Sequence, residues 1–444
     1  MNIDMTKGPA MKSMLKFAVP MILGNLLQQC YNVADTLIVG KVLGPNALAA
    51  VGSSFTLMTF LTSILLGLCM GSGAFFSIRF GERDENGLKE GICASFILIF
   101  ALTVILNILA FLFLDQIQDF LKVPEEVWGD MCSYLAVIFC GIFATFLYNY
   151  FASLLRAVGN SVVPLVFLAV SSILNIILDL WFVIGLKSGA AGAALATVIA
   201  QYVSGIGIAI YSLISVPYLK IKINEFRFKW SCMWEIANFS VLTCIQQSVM
   251  NLGILLVQGI VNSFGAAVMA AFAAAVKIDA FAYMPVQDFG NAFSTYIAQN
   301  YGAKKEDRIH AGFKGAVTSS VIFCIIVSTA VCIFARPLML MFVDATETVI
   351  IAEGVHYLRI EGAFYCGIGC LFLLYGLYRA LGKPGMSVIL TVVSLGTRVV
   401  LAHLLSSIPS IGVVGIWWSV PIGWFLADLT GFLYYFYMQK RKKA

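Results

Sequence analysis

Residues 26–44 read LLQQCYNVADTLIVGKVLG, and residues 171–185 read SSILNIILDLWFVIG. Each stretch belongs to an apolar run long enough to cross a hydrocarbon core of about 30 Å as a helix. Each nevertheless contains a carboxylate, Asp35 in the first and Asp179 in the second. A charge at bilayer depth costs about 2.5–3.5 kcal/mol on insertion scales. Such residues are typical of internal cavities, so the two aspartates predict a site that handles ions, protons or cationic compounds.

The composition places the whole chain in a membrane. Of 444 residues, 60% are hydrophobic and only 11% are charged, with a mean hydropathy of +0.92, whereas soluble domains are about 25% charged. In lipid the backbone must satisfy its own hydrogen bonds, so the apolar runs are helices. We predict an all-α polytopic membrane protein with about twelve spans, at 14–40, 50–78, 92–114, 131–153, 162–185, 190–214, 236–261, 268–299, 312–335, 355–378, 386–408 and 413–438.

Several functional classes are excluded by pattern. The net charge of +5 comes from Lys and Arg in connecting loops and in the C-terminal QKRKKA, so no nucleic-acid partner is predicted. The eleven cysteines are scattered along apolar runs without a CxxC pair, and the three histidines lie far apart, which predicts no metal site. No HExxH or GxSxG motif indicates an enzyme, and no cofactor is predicted. The first apolar run is too long for a cleavable signal peptide.

The distribution of Lys and Arg predicts the orientation of the spans. One side of the predicted membrane receives the N-terminal lysines, the charged loops after spans two and eight, and the C-terminal tail. The other side receives only Lys41, Lys122, Lys187 and Arg336. By the positive-inside rule, both termini are cytoplasmic. We therefore predict a multi-pass protein of the cytoplasmic membrane.

The two halves of the chain resemble each other. LLQQCYNVADTLIVGKVLG (26–44) is similar to TCIQQSVMNLGILLVQGIVNSFG (243–265), FGERDENGLKEG (80–91) to YGAKKEDRIHAG (301–312), and LLRAVGN (154–160) to LYRALGK (377–383). We predict an N-terminal lobe at 1–215, a cytoplasmic linker at 216–235 and a C-terminal lobe at 236–444. Because each lobe has six spans, the repeats are parallel and related by a pseudo-two-fold axis along the membrane normal. The glycines of the repeated turns predict positive φ angles.

Counting residues from the predicted ends of the spans gives the depth of the polar groups. Asp35, Asn175, Asp179 and Thr197 all fall in the outer half of the membrane and can form one oxygen-rich cluster. Such a cluster suits Na⁺, and carboxylates in a desolvated pocket can also take up protons. The alternative is that each aspartate pairs with a structural partner. Further polar residues predict a substrate cavity nearby: Gln28, Tyr31, Asn32, Asn149 and Gln201.

The second half does not repeat this cluster. The positions matched to Asp35, Asn175 and Asp179 are Gly253, Arg398 and Ala402. This half is predicted to bury its own charges, for which structural pairing and a functional path remain equally open: Lys277, Asp279, Asp288, Arg359, Glu361, Arg398 and Asp428. Pro20 in span one removes a backbone hydrogen bond, which predicts either a gating hinge or a packing bend.

The segment from Pro20 to VADTLIVGKVLGPNALAAVG, the NIILD pair and the two RA(V/L)G turns resemble the multidrug and toxic compound extrusion (MATE) family, in a bacterial subgroup similar to the MepA type. The resemblance covers the whole chain. It implies two six-helix lobes that rock about a central cavity, and export of cationic or amphiphilic compounds driven by inward Na⁺ or H⁺. It also implies that Asp35, Asn175, Asp179 and Thr197 bind the coupling cation, and that Tyr31, Gln28 and Asn149 line the cavity.

One feature of the family is missing here. Some members carry a carboxylate in the seventh span that takes part in coupling, whereas span seven of this chain has Gln246, Gln247 and Asn251 and no acid before Gly265. A coupling site of that type is therefore not expected in the C-terminal lobe. The resemblance and the first-half cluster together lead us to interpret the chain as a monomeric antiporter, surrounded by membrane lipids, that exchanges cationic drugs for Na⁺ or H⁺. The alternative is a flippase for a lipid-linked or amphipathic metabolite, whose cavity we expect to be basic.

Overall fold

The computed structural model describes residues 3–116, 125–217 and 229–443, all of them in helices or short connections. In chain order the helices are α1 (Ala10–Leu43), α2 (Pro45–Glu82), α3 (Glu85–Leu112), α4 (Glu125–Cys140), α5 (Ile142–Ala157), α6 (Val162–Asp179), α7 (Gly189–Ser215), α8 (Trp230–Asn262), α9 (Ala266–Gly302), α10 (Glu306–Leu340), α11 (Thr348–Gly362), α12 (Tyr365–Ala380), α13 (Pro384–Ser406) and α14 (Val414–Lys443). A π-helical turn, Leu180–Gly185, follows α6 directly.

The described helices account for the predicted number of spans. Ten of them are long and apolar enough to cross a membrane, and two bent pairs bring the number to twelve. The chain is thus an all-α polytopic membrane protein, as the composition predicted. The bent pairs are α4 with α5, at 42°, and α11 with α12, at 52°. They correspond to spans four and ten, which occupy the same position in each half.

The breaks in spans four and ten were not predicted from the sequence. Between α4 and α5, Gly141 lies against α7: a Cβ at this position would be 2.7 Å from Oε1 of Gln201 and 2.9 Å from the side chain of Val198. The second break follows Gly362, the last residue of α11. Phe364, which directly precedes α12, does not have helical backbone angles. Hydropathy averages over a whole span, so it does not detect a break that tertiary packing imposes.

The backbone repeats the same unusual conformations in both halves. Arg83 and Lys304, at the ends of α2 and α9, have φ angles of 60° and 54°. Gly159 and Gly382, in the two RA(V/L)G turns, have φ angles of 87° and 72°. The positive φ predicted for the glycines of the repeated turns is confirmed for Gly159 and Gly382, whereas in the other repeated turn it falls on Arg83 and Lys304. A side chain with a Cβ is strained at such angles, which is the reason for glycine in both RA(V/L)G turns.

The chain forms two compact units, which we call the first unit (1–4 and 19–244) and the second unit (5–18 and 245–444). The N-terminal end of α1 therefore belongs to the second unit, and residues 230–244 of α8 belong to the first. Along α1, the chain passes from the second unit to the first between Ala18 and Val19, just before Pro20. The predicted lobe limits at 215 and 236 describe the sequence repeat rather than packing, so they stay a prediction. Lys122 and most of the linker, at 218–228, lie outside the described residues.

Small residues explain why the start of α8 packs in the first unit. Gly67 and Gly71 of α2 are four residues apart on one face, the spacing that lets two helix backbones approach closely. A Cβ at Gly67 would lie 2.5 Å from Cα of Cys244, and one at Gly71 would lie 2.4 Å from the carbonyl oxygen of Phe239. These clashes show that α2 and α8 are in backbone contact.

Candidate cation-coupling site

The site is built on the last two turns of α6. Asn175 and Asp179 are four residues apart and therefore share one helix face. Both are buried, with 2% and 0% of their surface exposed. The π-helical turn begins at the next residue, and its widened form shows in the hydrogen bond from the Leu186 N–H to the Trp181 carbonyl, at 2.9 Å. Such π turns occur frequently at functional sites.

Two further helices bring the other predicted residues to this face. The side-chain amide of Asn175 donates to Oγ1 of Thr197 on α7, at 3.2 Å, and Thr197 in turn donates to the carbonyl of Ala193, at 3.1 Å. The carboxyl group of Asp35 on α1 lies in electrostatic reach of that of Asp179. The four residues that the sequence grouped by depth are therefore in one cluster, which we call the acidic cluster.

The acidic cluster holds oxygens that no donor reaches. Among the described residues of this cluster, four buried side-chain oxygens have no hydrogen-bond partner: Oδ1 of Asp35, Oδ1 of Asn175 and both oxygens of Asp179. Among the described residues, neither Asp35 nor Asp179 forms an ion pair with a Lys or Arg side chain. A buried acceptor without a donor costs about 1–3 kcal/mol, and more when charged. A bound cation or a proton would remove that cost.

The predicted cavity residues form two smaller groups in the first unit. On α1, Tyr31 interacts with Gln28 and lies in electrostatic reach of both aspartates, while Asn32 is half-buried one residue further along. The other two predicted residues, Asn149 of α5 and Gln201 of α7, are linked by Thr145 of α5. The carbonyl of Thr145 accepts from Nδ2 of Asn149, at 2.9 Å, and its hydroxyl donates to Oε1 of Gln201, at 3.4 Å.

Two residues near these groups were missed by the sequence analysis. Tyr134 on α4 is buried and lies in electrostatic reach of Asp35 and Asp179. Thr145 was not considered, although it contacts both Asn149 and Gln201. No motif marks either residue, because an isolated Tyr or Thr in an apolar span is common. A count of depth from the ends of span four could have placed both near the acidic cluster.

The second unit contains a different cluster, which we call the mixed cluster. Asp279 of α9 and Glu361 of α11 are 1% and 3% exposed, and both are in electrostatic reach of Arg398 on α13. Tyr365 of α12 donates a short hydrogen bond to Oδ1 of Asp279. Tyr357, one turn before Glu361, interacts with both carboxylates. A basic group is thus present among the acids, in contrast to the first unit.

The remaining charges of the second half do not form one group. Asp288 of α9 is buried, and Asp428 of α14 lies beside Cys370 of α12. The expectation that Lys277 and Arg359 are buried was wrong, since both side chains are exposed. Lys277 lies two residues before Asp279, so the two point to different sides of α9, and only Asp279 faces the core.

The match between Gly253 and Asp35 was also wrong. Gly253 of α8 packs on Leu395 of α13, where a Cβ would lie 2.7 Å from the leucine side chain. Leu395 precedes Ala402 by two helical turns. By contrast, Asp35 faces Asp179, the position that matches Ala402. Gly253 therefore does not take the place in the second unit that Asp35 takes in the first, because similar sequences in two helices do not fix how far each is shifted along its neighbour.

A family model described as MatE matches residues 20–181 and 243–404. These ranges cover more than half of the chain. The chain belongs to the MatE family. Each range takes one copy of the model, in agreement with the internal repeat, and the resemblance drawn from the sequence is confirmed. Members of the MatE family are transporters, so the protein is a membrane transporter and not an enzyme.

Among curated relatives, the probable multidrug resistance protein YpnP of Bacillus subtilis is 29% identical, over 98% of this chain and 96% of the relative. The multidrug export protein MepA of Staphylococcus aureus is 23% identical, over 98% and 95%. A crystal structure of a MATE protein in complex with MaL6 has a TM-score of 0.93 at 24% identity, and covers 100% of this MatE chain and 99% of that one. At this identity, the structural likeness shows the fold alone.

Proposed function

We propose that this MatE protein is a cation-coupled antiporter that exports cationic or amphiphilic drugs from the cytoplasm. The coupling ion, Na⁺ or H⁺, binds at the acidic cluster formed by Asp35, Asn175, Asp179 and Thr197. The observation that carries the proposal is the set of four buried oxygens without a donor and without a basic partner among the described residues.

The geometry suggests how an ion acts there. Two carboxyl groups that face each other at low dielectric repel when both are ionised. A cation between Asp35 and Asp179 relieves that repulsion, as does a proton on either group. Asp35 is on α1 and Asp179 on α6, so binding draws these two helices together. The loaded and empty states of the cluster thus favour different arrangements of α1.

The hinge proposed at Pro20 fits this scheme. Pro20 lies inside α1, one residue after the point where the chain passes from the second unit to the first. A proline inside a helix removes a backbone hydrogen bond and lowers the cost of bending. Movement of α1 around Pro20 would connect ion binding at Asp35 with the substrate side chains Gln28, Tyr31 and Asn32, which lie between them in the sequence.

The names of the relatives support drug export as the transport activity of this protein. YpnP and MepA carry the names of a multidrug resistance protein and a multidrug export protein, and the alignments cover nearly all of both chains. The acidic character of the first unit favours cationic compounds. Basic residues that would recognise a lipid-linked phosphate are not part of the acidic cluster, which argues against the flippase alternative.

The test is efflux of a fluorescent cationic dye from proteoliposomes under a Na⁺ gradient alone and under an H⁺ gradient alone. The wild type should respond to at least one gradient, and Asp35→Asn and Asp179→Asn should each abolish the response. Asp428→Asn is the matched control, because Asp428 is an intramembrane carboxyl of the second unit; it should keep most of the transport. Gradient-driven efflux at wild-type rate in both first-unit variants would overturn the coupling assignment.

A further inference from the structure

The second unit has a cavity of about 380 Å³ that the proposed coupling mechanism does not use. One wall is a face of α9 that carries Ala270, Ala273, Ala274 and Lys277. These residues follow the helical spacing i, i+3, i+4 and i+7 and so lie on one side of the helix. Phe342 and Asp344, in the connection between α10 and α11, also line the cavity. Small-molecule sites have volumes of about 300–1,000 Å³.

Two opposite charges line this cavity without contacting each other. Within the described residues, neither the ammonium group of Lys277 nor the carboxylate of Asp344 forms an ion pair. Lys277 lies about 16 Å along α9 from Ala266, at about 1.5 Å per residue, which places it well inside a predicted span. A charged group at that depth without a partner is costly, so an occupant that neutralises it is favoured.

The position of the charges indicates what kind of occupant fits. The rest of the lining is apolar and includes three alanines and Phe342, so it suits a hydrophobic body. Lys277 provides an anion-binding group on α9, and Asp344 provides a cation-binding group on the connection. A purely cationic compound satisfies Asp344 but meets repulsion from Lys277. A compound with an anionic group, a cationic group and an apolar body between them satisfies both.

We propose that this cavity is a binding site for zwitterionic amphiphiles, in which Lys277 pairs with the anionic group and Asp344 with the cationic group. The identification of the occupant as an exported compound rests on the proposed function, whereas binding itself does not. The site lies wholly in the second unit and shares no residue with the acidic cluster.

A matched pair of dyes tests the charge requirement: a rhodamine with a free carboxylate, which is zwitterionic, and its methyl ester, which is cationic. Equilibrium binding to the purified full-length protein in detergent is followed by fluorescence anisotropy, without any ion gradient. Lys277→Met should weaken binding of the zwitterion about tenfold or more, the scale of a charge-assisted hydrogen bond, and leave the ester unchanged or tighter. Asp344→Asn should weaken both dyes.

Two controls keep the result interpretable. Lys277→Arg should restore binding of the zwitterion, since it keeps the charge. Lys314→Met removes an exposed lysine of α10 that does not line the cavity, and it should change neither dye. Equal weakening of both dyes by Lys277→Met, or no weakening of the zwitterion, would overturn the proposal. Gradient-driven efflux of the ester reports on the proposed function alone. A failure of the antiporter proposal can therefore be distinguished from a failure of the zwitterion-site proposal.

The zwitterion can be a soluble compound or a membrane phospholipid, and competition separates these sources. Short-chain phosphatidylcholine that displaces the zwitterionic dye from the wild type assigns the cavity to a zwitterionic lipid headgroup. Resistance of the bound dye to phosphatidylcholine assigns it to soluble amphiphiles. Either outcome supports the charge pairing, provided that Lys277→Met has the selective effect described above.

Discussion

Asp35 and Asp179 in the first unit face each other without a basic partner among the described residues, whereas Asp279 and Glu361 in the second unit lie in electrostatic reach of Arg398. Both clusters join residues from three or more helices, and each includes the fifth span of its half, as α6 or α13. The sequence repeat matches Arg398 to Asn175. The two clusters thus differ at this repeated position, where the second unit has a basic side chain and the first unit has an amide.

This contrast has a functional consequence. A site that changes occupancy during transport must be stable both with and without its ion, so a permanent internal cation would prevent it from responding to a gradient. A cluster with an internal arginine can instead stabilise the fold around the break between α11 and α12, where Tyr365 and Glu361 lie. We therefore expect the acidic cluster to control transport and the mixed cluster to control stability.

Asn175→Arg should produce the largest effect, because it places in the first unit the residue that the second unit has at the matched position. The guanidinium would lie one turn from Asp179 and occupy the place of the coupling cation. We expect complete loss of ion-dependent changes in tryptophan fluorescence and of gradient-driven efflux, with the melting temperature maintained. The smaller change Asn175→Met removes one oxygen of the cluster and the amide donor to Thr197, adds no charge, and should weaken ion binding without abolishing it. Ion binding that persists in Asn175→Arg would contradict this view of the acidic cluster.

Arg398→Met should lower the free energy of unfolding by about 3 kcal/mol, since it leaves two buried carboxylates without their basic neighbour. Chemical unfolding in detergent, followed by circular dichroism, measures the change. Adding Asp279→Asn to Arg398→Met should recover part of the loss, because it removes one of the uncompensated acids. If Arg398→Met is as stable as the wild type, the mixed cluster does not depend on the arginine.

The repeated turn after α2 and α9 extends the comparison to the ends of these helices. In the second unit, Arg308 donates to the carbonyls of Met5 and Gly8, at 2.9 and 2.8 Å, and holds the segment that leads into α1. Arg308→Met should lower the free energy of unfolding by about 2 kcal/mol, the scale of hydrogen bonds from a charged donor. Thermal unfolding measures this, with Lys314→Met as a control that should be neutral. Equal stability of the two variants would argue against the role of Arg308.

The corresponding turn of the first unit should show the smallest effect. There Arg79 forms an ion pair with Glu235 at the start of α8, at 2.9 Å, and both side chains are partly exposed. Exposed ion pairs contribute about 0.2–1 kcal/mol and are screened by salt. Glu235→Gln should therefore lower stability by less than about 1 kcal/mol at low salt, and the difference should disappear in high salt. A loss that persists in high salt would show a packing role for Glu235.

Several features of the protein were predictable because they depend on local sequence. Each span is recognisable alone, since the cost of leaving a backbone group unsatisfied in lipid applies to every apolar run separately. The class, the number of spans and the positive φ of the repeated glycines followed from such local patterns. The pairing of Asp35 with Asp179 was predictable from depth, because a rise of about 1.5 Å per residue converts position in a span into height.

Tertiary structure alone decided the features that depend on distant residues. The break at Gly141 is imposed by Gln201 and Val198 of α7, and the shift of Gly253 relative to Asp35 depends on Leu395 of α13. The assignment of residues 230–244 of α8 to the first unit depends on the backbone contact with Gly67 and Gly71 of α2. The mixed cluster joins α9, α11, α12 and α13. None of these contacts leaves a pattern within a single segment, because each depends on how helices pack against one another and not on how each enters the membrane.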